Sequence, residues 1–505
     1  MSSESAIVDL FIIGGGINGA GIARDAAGRG LSVVLCEKDD LAQGTSSRSG
    51  KLVHGGLRYL EYYEFRLVRE ALIEREVLLN SAPHVIWPMR FVLPHSADDR
   101  PAWLVRAGLF LYDHLGGRRR LPGTRTLSLA TAPEGAPLKS SFTRGFEYSD
   151  CWVDDARLVV LNALDAESRG AQILTRTACM SARRENGLWH MEMQNGGTGK
   201  KSSLRARAVV NAAGPWVNDI IGRIAGLNAT RNVRLVKGSH IIVPKFWEGS
   251  HAYLVQNNDK RVIFINPYQN DLALIGTTDI PYKGRAEDVS ADESEIEYLI
   301  RAVNRYFIRP LARSDVLHSF SGVRPLYDDN ADNPSAVTRD YVFEIDAPGQ
   351  SAPLLSVFGG KITTFRKLSE HALDRIQPYF PHMSKAWTSA APLPGGDMAD
   401  ADFEGFLNQL RQTYSWLLPD MARHYCRLYG TRARSLLGDS QSMLDLGQRF
   451  GPEFYEREAR FLMAHEWALD SEDILVRRTK HGLHMNSAQR QVFASWFAVQ
   501  SAKSA

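Results

Sequence analysis

The chain is poor in cysteine. Four residues, Cys36, Cys151, Cys179 and Cys426, are scattered through 505 positions with no C-x-x-C pair. That spacing excludes a disulfide framework and points to reduced thiols in a cytoplasmic setting. Charge of one sign is also lacking. Sixty basic residues face 57 acidic ones, for a formal net charge of +3, so no nucleic-acid partner is expected and any basic surface is local. No apolar run approaches the ~20 residues needed to span a bilayer. The opening MSSESAIVDL has no basic n-region, so a secretory signal is not expected. There is no G-x-S-x-G elbow, no P-loop lysine, no internal repeat and no low-complexity tract. His481 and His484 lie close together without a cysteine or carboxylate set of zinc type nearby, so no metal is expected.

Glycine, by contrast, is placed with purpose. An apolar run of strand length, Val8 to Ile13, leads into Gly14, Gly16 and Gly19, spaced G-x-G-x-x-G, and a helical stretch follows to Gly28. Gly14 allows the tight turn, Gly16 lets a pyrophosphate approach the backbone, and Gly19 permits close packing of helix on strand. The helix N-terminus then offers N–H groups and a positive dipole end to phosphate. A second apolar strand, Leu31–Cys36, ends at Glu37, 18 residues beyond Gly19. An acid there can accept hydrogen bonds from an adenosine ribose. The unit predicts FAD or NAD, and Glu37 disfavours the extra phosphate of NADP.

Beyond it, Thr45, Ser46 and Ser47 cluster with Arg48, Lys51, His54 and Arg58, either as cofactor contacts or as a solvated loop. Phe65 to Leu79 has helical spacing, with Val68, Leu72 and Leu79 on one face. Residues 86–144 resemble an insertion. Its apolar stretch Trp103 to Leu115 is followed by Arg118, Arg119 and Arg120. Two readings stay open there: an amphipathic helix resting on an anionic bilayer, or a buried helix ending in a solvated basic turn. A further strand of the nucleotide sheet is expected to end at Gly214-Pro215. From 232 to 280, successive β runs predict an antiparallel sheet of different architecture. The strand Leu354–Phe358 meets Gly359-Gly360, and a helix begins near Thr363, with threonine available to cap it. The last 115 residues, from about Pro392, are mostly helical in pattern.

The segments GGGINGAGIARDAAGRG, TSSRSGKLVHGGLRYLEYYEFRLVREAL, FEYSDCWVDDARL, NAAGPWV, KGSHIIVP, IGTTD, SGVRPL and FGGKITTFRKL stand in the order seen in FAD-dependent glycerol-3-phosphate dehydrogenases. The chain resembles the bacterial aerobic, respiratory members of that family from residue 8 to its C-terminus. One departure is Gly50, where the pattern leads one to expect a small hydroxyl residue. The resemblance implies an α/β plus α+β protein. Its parts are a discontinuous Rossmann-like FAD-binding domain (5–85, 145–231 and 350–385), an antiparallel-sheet substrate or cap domain (86–144 and 232–349) and a C-terminal helical domain (386–505). It implies oxidation of sn-glycerol 3-phosphate to dihydroxyacetone phosphate, with a hydride passing from C2 to the flavin N5. Electrons then pass to ubiquinone or another membrane quinone. It further implies peripheral attachment to the anionic cytoplasmic face of the inner membrane, and it leaves a homodimer open. Two alternatives remain: a glycerol-3-phosphate oxidase that uses oxygen, and a flavin-binding sensor or structural subunit without turnover.

These expectations make chemical sense in the residues. A three-carbon phosphate has little apolar area, so its dianion must supply most of the binding, and guanidinium groups suit that task. Arg324, Arg339 and Arg58 are the candidates, with the Tyr59 hydroxyl beside Arg58. Loss of hydride from a secondary alcohol also requires removal of the hydroxyl proton, and His240 is the candidate base, with an arginine or a water as rivals. Lys361, after the second glycine pair, would stabilise negative charge on a reduced flavin or contact substrate. The expected cofactor contacts are Gly14, Gly16, Gly19, Glu37, Thr45, Ser46, Ser47, Gly214, Gly359, Gly360, Lys361 and Thr363. The expected catalytic set is His240, Arg324 and Lys361.

Overall fold

The computed structural model describes residues 7–96, 99–117, 120–228, 231–328 and 340–504. Two sheets carry the architecture. The first is eight-stranded and runs Val342–Asp346, Leu354–Phe358, Lys201–Asn211, Ile7–Ile13, Val33–Cys36, Gln172–Leu174. From Leu354–Phe358 to Gln172–Leu174 every pairing is parallel. These strands are nearly continuous apolar runs because both faces are covered, one by helices Ile17–Gly28, Asp155–Ser168 and Phe365–Ile376, the other by the hairpin of Thr177–Glu185 and Leu188–Asn195. Leu10, Ile12, Val210 and Leu355 have no exposed surface, and burying each such side chain contributes roughly 1.5–3 kcal/mol. The hairpin of Thr177–Glu185 and Leu188–Asn195 extends the outer half of Lys201–Asn211.

The second sheet has ten strands and holds the segment Val233–Pro244 between Leu272–Gly276 and His318–Tyr327. It is antiparallel as expected, save at one junction, where Ala252–Gln256 runs parallel to Ile86–His95. Two expected boundaries shift. Residues 145–153 and the short strand Leu52–Val53, expected in the FAD-binding part, pair in the second sheet. Val342–Asp346, expected in the substrate part, pairs antiparallel with Leu354–Phe358 in the first. Alternating hydrophobicity identifies a strand but not the sheet that receives it.

The helix Ala102–Leu115 is neither buried nor solvated all round. Leu109 and Tyr112 turn inward, and the Tyr112 hydroxyl donates to Asp150 at 2.8 Å. On the outer side Trp103 is 71% and Phe110 58% exposed, with Leu104 and Leu111 beside them. Arg118 and Arg119 lie outside the described residues. The C-terminal region is helical, with its own core around Leu410, Tyr425, Leu462 and Phe493. The four cysteines are free and buried.

Candidate active site

The two glycine turns, more than three hundred residues apart, meet. Gly14 sits at φ +111°, and an added Cβ would lie 2.6 Å from the Ala212 carbonyl oxygen. At Gly19 the Cβ would fall 1.9 Å from the Gly14 carbonyl oxygen, so glycine is what lets helix Ile17–Gly28 begin against the turn. Ser46 serves this helix from another segment, its hydroxyl oxygen accepting the Ile17 N–H at 3.0 Å. The Asn18 amide donates to the Gly359 carbonyl at 3.2 Å and ties the first turn to the second. Glu37 accepts the backbone N–H groups of Gly15 (2.7 Å) and Asp39 (2.9 Å). Its oxygens keep further lone pairs for ribose hydroxyls. Burial raises its pKa, and the two N–H donors oppose that rise.

A cavity of about 990 Å³ opens beside these turns, at the upper end of the range for ligand sites. Its walls include Gly14, Gly16, Glu37, Thr45, Ser46, Arg58, Tyr59, Gly214, His240, Arg324, Gly359, Gly360, Lys361 and Thr363. Two expected residues among those described are not brought there. Gly19 acts beneath the turn, as its packing requires. Ser47 does not line the cavity; its carbonyl accepts from the Lys51 ammonium. Arg339 lies outside the described residues. Threonine capping of the second helix also fails. Phe365–Ile376 is preceded by a short 3-10 turn, no side chain caps it, and the Thr363 hydroxyl instead braces the His54 backbone at 3.2 Å.

His240 projects from the middle of Val233–Pro244, stacked on Phe320 with centroids 4.9 Å apart. It is 2% exposed, and among the described residues neither ring nitrogen has a hydrogen-bond partner. Burial, then the charges of Arg324 and Lys51, lower its pKa to about 3, so the ring is a neutral acceptor near pH 7. The strand behind it is braced by a buried polar network. Ser239 Oγ donates to Glu295 at 2.7 Å, and the Lys237 ammonium pairs with the same carboxylate at 2.6 Å.

Arg324 lies across Gly238, where an added Cβ would come 3.1 Å from its Nη2, and its guanidinium pairs with Asp279. That aspartate went unassigned in the sequence although it closes IGTTD; only folding sets it opposite an arginine 45 residues away. Lys361 places its ammonium 4.0 Å from the centre of the Tyr59 ring, which joins the GGLRY segment to the second glycine turn. The Arg58 Nε is buried at the same wall and has no hydrogen-bond partner among the described residues. Elsewhere, the fold brings His424, Glu458 and His481 together, with ligand atoms all within 4.8 Å. Spacing alone did not reveal this group. Its members satisfy one another, each histidine lying 3.0 Å from the carboxylate and the Tyr429 hydroxyl at 2.7 Å.

The residues fit a flavin dinucleotide. A phosphate-binding turn, a ribose acceptor and a second glycine turn with an ammonium all line one continuous cavity. A parallel sheet with such a cleft, roofed by a second sheet that carries a neutral imidazole and a guanidinium, defines a flavin-dependent oxidoreductase of alcohols or amines. The chain belongs to the FAD dependent oxidoreductase family, whose model matches residues 9–365, and residues 386–500 match the C-terminal domain of alpha-glycerophosphate oxidase. It is 68% identical to a D-erythritol 1-phosphate dehydrogenase of Brucella abortus, over 98% of both chains. It is 52% identical to the aerobic glycerol-3-phosphate dehydrogenase of Escherichia coli, over 97% of both. The glycerol-3-phosphate dehydrogenase of Bacillus halodurans, solved with FAD, superimposes with a TM-score of 0.79 at 27% identity, covering 98% of this chain and 91% of that one. The protein is an FAD-dependent oxidoreductase.

Proposed function

We propose that this protein oxidises the secondary alcohol of a small polyol phosphate, sn-glycerol 3-phosphate to dihydroxyacetone phosphate, and passes the electrons to a membrane quinone. The observation that carries this reading is the presence of His240, Arg324 and the dinucleotide turn in one cavity. Bound FAD supplies a hydride acceptor at its N5. Arg324 holds the phosphate through charge-assisted hydrogen bonds, and Arg58 adds a second guanidinium. Asp279 keeps the Arg324 fork aligned until substrate arrives. His240 takes the hydroxyl proton as the hydride departs, and the phosphate dianion offsets the positive field that otherwise weakens the ring as a base. The Lys361 ammonium would stabilise negative charge on the reduced acceptor; one such donor lowers a barrier by about 3 kcal/mol. Arg339 is a further phosphate ligand in this proposal.

No helix among the described residues is long and apolar enough to cross a membrane. The exposed apolar side of Ala102–Leu115 gives the protein a means to lie on the cytoplasmic face of the inner membrane. Leu104, Val105 and Leu111 of this helix also line the cavity, so a bilayer-resting helix would adjoin the chamber where quinone is reduced. A second reading, D-erythritol 1-phosphate as substrate, is favoured by the 68% identical relative of that name.

Anaerobic titration tests the proposal. Glycerol 3-phosphate or D-erythritol 1-phosphate should bleach the flavin, and a ubiquinone analogue should restore it. Stoichiometric peroxide in air with no quinone reduction would make the protein an oxidase. A flavin that neither phosphate bleaches would make it a binding subunit.

A further inference from the structure

We infer that Gly50 sets the length of polyol phosphate the site accepts: lacking a side chain, it leaves room beside His240 for one carbinol more than glycerol 3-phosphate carries. The inference rests on the proposed oxidation of a polyol phosphate and names its specificity residue. Gly50 lines the cavity. A Cβ built on it would lie 3.6 Å from His240 Nε2 and, apart from its chain neighbours Ser49 and Lys51, would meet no other described heavy atom within 4 Å. A base must come within about 2.6–3.2 Å of the hydroxyl it deprotonates. Space bordering that nitrogen therefore belongs to the reacting carbinol or the carbon next to it, not to the phosphate that Arg324 holds.

Neither wall of this notch can yield. The Asn266 amide donates to the Gly50 carbonyl at 3.3 Å. On either side, Ser49 Oγ and the Lys51 ammonium bind the Asp155 carboxylate at 2.8 and 2.7 Å. The imidazole opposite is held between Phe320 and Gly276, where an added Cβ would come 2.1 Å from its Cδ2. The opening is thus a fixed shape rather than slack. Its floor is the position where the sequence departs from the small hydroxyl residue its resemblance leads one to expect. Gly50 is not among the glycines held at positive φ, so alanine or serine can stand there without backbone strain.

The test is the selectivity ratio, kcat/KM for D-erythritol 1-phosphate divided by that for glycerol 3-phosphate, in wild type, Gly50→Ala and Gly50→Ser. Bound FAD confirms that each variant folds. One methylene in a fitted pocket changes discrimination by about tenfold or more, so the ratio should fall by at least about that factor in both variants. Calorimetric affinity for the four-carbon phosphate should fall with it. A ratio that stays within twofold, or a wild type that oxidises glycerol 3-phosphate but not the four-carbon phosphate, overturns the inference and leaves the proposed reaction standing. A wild-type flavin bleached by neither phosphate overturns the reaction and the inference together.

Discussion

His240 shows what a buried side chain can do that its type alone does not announce. Histidine ordinarily titrates near neutral pH, yet burial and two neighbouring cations bring this one to about 3. In the free enzyme the pH profile of kcat/KM should therefore show no imidazole inflection between pH 5 and 8. His240→Asn should lower kcat by about 10²–10⁴ with a small change in KM; steady-state kinetics of FAD-replete protein measure both. An inflection near 6.5 that vanishes in the variant would contradict the low value. Arg324→Ala should raise KM sharply and remove the guanidinium charge that stands between Asp279 and the phosphate. The double variant with Asp279→Ala should recover part of that loss, which a double-mutant cycle resolves. Chemistry was legible at these positions because few residue types bind phosphate or accept a proton near pH 7. Their pairing was not. Asp279 acts through a neighbour distant in the chain, and no local pattern marks it; Ser46 stood out in its hydroxyl cluster, but its bond to the Ile17 N–H did not.

Among the elements, the opening βαβ unit was the most readable, because its glycines answer to steric limits that hold wherever the motif occurs. The segment 102–115 was readable as a helix but not in its surroundings. Inward Leu109 and Tyr112 and outward Trp103 and Phe110 give the same apolar count as a buried helix. If the outward side meets lipid, Trp103→Ser with Phe110→Ser should cut sedimentation with anionic vesicles several-fold. Serine at Arg118, Arg119 and Arg120 should do so chiefly at low salt, since attraction to an anionic surface is screened over about 8 Å at physiological ionic strength. Unchanged sedimentation in both variants would remove this helix from the membrane contact. At the first turn, Glu37→Ala should weaken FAD retention while leaving substrate affinity intact once FAD saturates, as gel filtration followed by flavin absorbance would record.

At the scale of the whole molecule, buried ion pairs fasten the C-terminal helices to the dinucleotide-binding sheet. Arg157 and Glu466 are both fully buried, with Arg157 Nη2 donating to Glu466 Oε1 at 3.1 Å. Arg478 grips Asp40 at 2.5 and 2.8 Å, and Lys480 binds Asp154. Burial alone would raise the Glu466 pKa, but Arg157 and Arg432 overcome it and bring the group down to about 2. A depressed carboxylate contributes stability that is complete above its unfolded value near 4.5 and lost as pH falls towards 2, in all about 3 kcal/mol. His84 and His240, each lowered to about 3 mainly by burial, act in the same direction from pH 6.5 downward. Thermal stability should therefore decline in two stages on acidification, and Glu466→Gln should remove much of the lower one while costing about 3–5 kcal/mol at neutral pH. The order of the central sheet also bears on synthesis. Ile7–Ile13 lies beside Lys201–Asn211, which lies beside Leu354–Phe358, and Asn18 reaches Gly359. The phosphate-binding loop leaves the ribosome some 340 residues before the second glycine turn that completes its walls. At about 5–20 residues per second that is a wait of roughly 20–70 s. The cofactor is thus a late arrival: nascent chains stalled before residue 350 should emerge colourless, and flavin capture should mark the moment the sheet closes.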